Sequence, residues 1–139
     1  MNTIEYSRLA IFERLAELTE CISSNIFIST RPSAVAESME DFIVLRLPQA
    51  IYQPADTYQR TIGQIVVFAR DIQGDLENTV RLEEMQNEVV KLFPIRDNLF
   101  LATQPTLVYG GTDGLGFHSL IIQFNIRVHK SFDIHNNQI

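Results

Sequence analysis

Cys21 is the only thiol in the 139-residue chain, so no intramolecular disulfide can form and no cysteine-based zinc cluster can be built. Tryptophan is absent, and glycine and proline number only 6 and 5, which excludes collagen-like and low-complexity classes. No apolar run approaches the roughly 18 to 20 residues of a membrane-spanning helix. The opening stretch, MNTIEYSRLAIFERLAEL, has acids among its apolar residues and lacks the basic-then-apolar form of a secretory leader. Cytoplasmic residence without membrane attachment is therefore expected. Positive charge is the scarcer sign, with 11 Lys and Arg against 17 Asp and Glu and a net charge of −6. Sequence-independent binding of nucleic acid through its phosphates is disfavoured on that balance.

What is present fits one compact domain over 1–139, with a polar tail from about 130. Hydrophobic residues make up 45% of the chain, enough for a sizeable core. The acidity is uneven: residues 71–97 hold seven acids and three bases, whereas 25–70 and 98–139 are balanced.

Leu9, Phe12, Leu15, Ala16, Leu18 and Ile22 recur at spacings of three and four, which predicts an amphipathic helix over about 4–22. Ile26-Phe27-Ile28 reads as a short extended piece before Arg31-Pro32. Phe42–Leu47, branched and closed by Pro48, reads as a strand. Residues 48–62 hold two prolines and two tyrosines without a clean period and are expected to form a long loop or projecting arm. Gln64–Arg70 is a strand covered on both sides. Turn and cap residues Asp71, Gly74, Asp75 and Asn78 then open a second helix, whose buried stripe is Leu82, Met85, Val89, Leu92 and Phe93. Leu99–Val108 reads as a strand interrupted by Pro105, at an edge or bulge. Tyr109–Gly116, with four glycines, suits a hairpin tip. The final strand alternates cleanly, His118, Leu120, Ile122, Phe124, Ile126 and Val128 pointing one way. The expected fold is α+β: a mostly antiparallel four-stranded sheet packed on two helices, in the order α-β-β-α-β-β with a long loop between the first two strands.

Little in this pattern carries chemistry. GGTDGLG lies between two strands, not before a helix, so it is a hairpin more readily than a phosphate cradle. His118 with Asp113 could pair as base and orienting acid, but no nucleophile motif accompanies them, and a structural histidine on the apolar face explains His118 better. His129 and His135 lack metal-ligand spacing, and Cys21 reads as packed near the end of the first helix. Asp71, Asp75 and Glu77 are better explained by turn and cap formation than as a carboxylate pair. No catalytic residue, metal ligand or cofactor site is assigned. The loop tyrosines Tyr52 and Tyr58 and the long final strand instead point to protein partners.

Element order and short motifs add a resemblance. The N-terminal helix, Arg31-Pro32, FIVLRLP, GQIVVFARD, the helix end VVKLFP and the final GFHSLIIQFNIRV resemble the small tail-terminator and head-tail joining proteins of long-tailed bacteriophages and prophages. The resemblance covers residues 4–129 and rests most on Leu92-Phe93-Pro94 and Gly116-Phe117-His118. It implies a homo-oligomeric ring, usually of six copies, that caps the tail tube and offers a surface to the head connector. Assembly would then take place in the host cytoplasm, and the protein would end in the virion tail. Tyr52, Tyr58, Tyr109, Asp113 and Leu115 are the candidate contact residues at loop and hairpin tips. Glu83, Glu84 and Glu88 are candidates for an acidic face lining a DNA conduit, where repulsion of phosphates would keep the genome sliding. Another oligomeric adaptor with a host-protein partner is the alternative, ahead of a small-molecule binder or an enzyme, which would need a deep apolar pocket with convergent polar groups.

Overall fold

A computed structural model describes residues 7–49 and 59–128. Helix α1 spans Arg8–Thr19 and begins where the Ser7 hydroxyl accepts the Ala10 N–H at 3.1 Å, a local cap that sets its start. It buries Ile11, Phe12, Leu15 and Thr19, while Leu9 lies outward. Helix α2 spans Thr79–Val90, capped by the Asn78 side chain on Arg81 N–H, and buries Leu82, Met85 and Val89. Each fully buried side chain of this kind stabilises the fold by roughly 1.5–3 kcal/mol.

The strands are β1 Ile26–Ile28, β2 Asp41–Arg46, β3 Gln59–Arg70, β4 Ile95–Arg96, β5 Phe100–Thr112 and β6 Phe117–Val128. They form one curled sheet in the order β1-β2-β3-β6-β5-β4. This corrects the expected α+β fold with four strands: the sheet has six and is mixed, because β1 runs parallel to β2 while every other pair is antiparallel. The parallel pair follows from the chain path. Residues 29–40 carry the chain from the end of β1 back to the start of β2, the crossover that parallel neighbours require. At three and two residues, β1 and β4 are too short to show alternation.

Other boundaries move as well, the first helix ending at Thr19 instead of about 22, with 4–6 outside the described residues. The loop expected over 48–62 ends earlier, since Gln59–Ile62 already belong to β3 and pair with Val128–Asn125 of β6. The hairpin strands run on through Thr112, which leaves 113–116 as the tip.

Alternation gives the sheet two different faces. Odd positions of β2 and β3 and even positions of β6 meet the helices in one core, which includes Ile43, Leu45, Ile65, Val67, Ile122 and Phe124 beside Leu15, Leu82 and Met85. Gly63 lies under the Phe124 ring, where a Cβ would come within 2.7 Å of ring carbons. On the other face, Phe42, Val44, Val66, Phe68 and Phe117 form a second cluster, covered by Val35 and Met39 from the 29–40 crossover. Phe42 stacks on Phe68 at 4.4 Å between centroids and meets Phe117 edge-on at 5.0 Å. That cluster fills only the end of the sheet nearest the hairpin tip.

Candidate functional site

The β5–β6 hairpin and the α2 N-terminus beside it hold most of the polar interactions that tie distant parts of the chain. Asp113 closes the tip: Oδ1 accepts from Leu115 N–H at 2.7 Å and Phe117 N–H at 3.1 Å. Its Oδ2 takes the Arg31 guanidinium from the crossover, and both side chains are largely buried. The same guanidinium lies over the Phe42 and Phe117 rings. Asp113 is thus a turn former and an anchor for the crossover. Gly116, with φ +97, makes the return into β6 in a region that L side chains rarely enter. Leu115 is exposed at the tip.

Tyr109 is 59% exposed, and its hydroxyl donates to Glu77 Oε1 at 2.6 Å. Thr79 donates to Glu77 Oε2 at 2.8 Å. These two donors hold the Glu77 carboxyl below its ordinary value, the tyrosine contributing most. The Glu77 carboxylate in turn raises the Tyr109 phenol. His118 pairs with Asp71 rather than Asp113, Nδ1 to Oδ1 at 2.6 Å, and the Asp71 side chain is almost completely buried. Asp71, Asp75 and Glu77 therefore do not form a carboxylate pair: Asp71 turns to His118, Glu77 to Tyr109, and Asp75 is exposed.

Beside these pairs runs an open strand edge. β5 pairs with β6 along its length, but on its other side only Leu101 and Ala102 meet a strand, the two-residue β4. From Thr103 to Thr112 the outer edge has no strand partner among the described residues. Leu107, Val108 and Tyr109 are 52%, 47% and 59% exposed along it. Natural edges are guarded by charge, bulges, proline or shortness. This one has Pro105, inside the register shift between Thr103 and Thr106, and no charged residue from Asn98 to Thr112. Beyond the Tyr109–Glu77 bond, the α2 end of the molecule leaves Ile72, Leu76 and Val80 exposed as well.

Glu83, Glu84 and Glu88 face outward on α2, with Glu84 on Arg81 at 3.3 Å and Glu88 on Lys91 at 3.1 Å. Tyr52, Tyr58, His129 and His135 lie outside the described residues. Cys21, expected to be packed, is exposed just beyond α1. A cleft of about 410 Å³ is lined mainly by polar side chains that include Arg60, Thr103, Asn125 and Arg127. Among the described residues no three His, Cys, Asp or Glu side chains converge as a metal site, and no helix is long and apolar enough to cross a membrane.

Of the candidate contact residues, the hairpin brings Tyr109, Asp113 and Leu115 to one end of the molecule, Asp113 turned inward. The sequence reading missed Arg31 as the partner of Asp113 and the open β5 edge. The latter had a signal in the long uncharged run over 98–112. Comparison with known proteins adds nothing further, since no protein-family model matches the chain and a search of curated proteins finds no match.

Proposed function

We propose that this chain is a structural assembly protein, without catalytic or cofactor chemistry, that works by associating with copies of itself and with other parts of a phage tail. In this reading it acts as the tail terminators it resembles do, as a ring that caps the tail tube and meets the head connector. The observation that carries the reading is the β5 edge. An open edge that has no charged residue, with Leu107 and Val108 exposed on its two faces between its irregularities, is costly to a protein that stays alone and is suited to receiving a strand from another chain.

The test is native mass measured from low to high micromolar concentration, for the wild type and for Leu107→Lys with Val108→Lys. Both residues are exposed, so the variant should fold, and lysines on the edge should block strand addition. The wild type is expected to grow in mass with concentration, and the edge variant to remain small. A wild type that is monomeric throughout, with a variant of the same behaviour, would remove the reading and leave in its place an adaptor that does not self-associate, or an enzyme.

A further inference from the structure

The described part of the molecule is electrically polar across its sheet. On the face away from the helices, alternation places Arg46 of β2, Arg60 of β3, Arg96 of β4 and Arg127 of β6, all exposed. The register sets Arg96, Leu101, Arg127 and Arg60 in one row across four strands. Arg46 lies on the same face but off that row, level with Gln64, four residues along β3 from Arg60. The only acid in the described strands, Asp41, lies on the opposite face, where it binds Arg81 at 2.9 Å. Arg60 and Arg127 have interactions of their own, so the charge offered outward rests first on Arg46 and Arg96. On the far side of the molecule, α2 turns Glu83, Glu84 and Glu88 to solvent, Glu84 and Glu88 each also paired with a base of the same segment, Arg81 and Lys91, so the unshared charge there rests first on Glu83.

A chain of net charge −6 repels its own copies on average, so the orientations favoured on approach are those that set opposite charges together. Back-to-back contact of two α2 faces fails that condition, and so does contact between two arginine faces. Contact of one face of each kind satisfies it.

We propose that copies of this chain dock head to tail, the α2 glutamates Glu83, Glu84 and Glu88 of one copy against the arginine face marked by Arg46 and Arg96 of the next. The inference rests on the self-assembly reading above and adds the contact that orients the copies. Such a contact uses different surfaces on the two partners, so each copy keeps one surface of each kind for a further neighbour. The series closes into a ring when the rotation between copies allows it and otherwise continues as a filament. The α2 acids are then covered by the neighbour and do not line a DNA conduit.

Charge reversal tests this directly. One variant carries Arg46→Glu and Arg96→Glu, the other Glu83→Lys, Glu84→Lys and Glu88→Lys, and circular dichroism checks that each is folded. Native mass is read in low-salt buffer for the wild type, for each variant alone and for an equal mixture. The expected result is association of the wild type that weakens in high salt and falls by about tenfold or more in each variant alone. The equal mixture should recover it, because acidic and basic surfaces then alternate. A wild type that associates, with both variants associating as strongly, overturns this contact while self-assembly stands. A wild type that stays monomeric at all concentrations, with a mixture that also stays monomeric, overturns both. A short duplex DNA is added in a parallel arm. Binding that the arginine variant loses would overturn the inference by assigning that face to phosphates.

Discussion

Arg31 joins three parts of the molecule, since its guanidinium meets Asp113 at the hairpin tip and covers the rings of Phe42 and Phe117. Removing one member of a largely buried ion pair leaves the other charge without compensation. Asp113→Ala is therefore expected to destabilise the fold by about 3 kcal/mol in urea unfolding. The double variant Arg31→Met with Asp113→Ala should cost less than the two singles together, because it strands no charge. At Tyr109 the coupling runs to pH. The lowered Glu77 carboxyl contributes stability that is present above its ordinary 4.5 and is lost as pH falls through the lowered value. The raised Tyr109 phenol contributes stability present below its ordinary 10 and lost as pH rises through the raised value. Tyr109→Phe should return the Glu77 titration toward 4.5, as followed by NMR of its side-chain carboxyl. None of these pairings could be read from the sequence. Arg31 and Asp113 are far apart in the chain, and a spacing pattern reports only neighbours on one element.

Elements with a period were the most legible, and β2 was legible without one from its branched residues and closing proline. Both helices follow from apolar residues three and four apart, and β6 from its alternation, since burial on one face leaves that trace in any sequence. Ile26-Phe27-Ile28 shows as an extended piece, which is β1, but three residues carry no period that places it in the sheet, and the two-residue β4 leaves no trace at all, so the sequence counts four antiparallel strands where the sheet has six and is mixed. The first part of β3 was hidden differently. Gln59–Ile62 carry polar and apolar residues that suggest a loop, and only the full-length pairing with β6 makes them a strand. That pairing gives a prediction at this scale. Gly63→Val puts atoms within 2.7 Å of Phe124 and should cost about 1–3 kcal/mol, measured as a lower urea midpoint with an unchanged slope. The open β5 edge was partly legible as a charge-free run, although nothing in the sequence said which side of the strand would lack a neighbour.

At the scale of the whole molecule, net charge describes this chain poorly. Four exposed arginines on one sheet face and the glutamates of α2 on the other give it direction, and composition averages that direction away. The sheet order has a further consequence, one of timing. β3 lies between β2 and β6, and every residue from Gln59 to Arg70 finds its β6 partner only in the last stretch of the described chain, Phe117–Val128. During synthesis β2 and β3 can pair early, but the other side of β3 must wait until Phe117–Val128 has left the ribosome. Until then β3, rather than β5, is the exposed edge, and its run Ile65-Val66-Val67-Phe68 is more apolar than the Leu107-Val108-Tyr109 run exposed among the described residues. Folding dominated by such distant pairing is slow. The protein is therefore most vulnerable to wrong association before β6 is made, and its yield from cells should rise when synthesis is slowed and cooled.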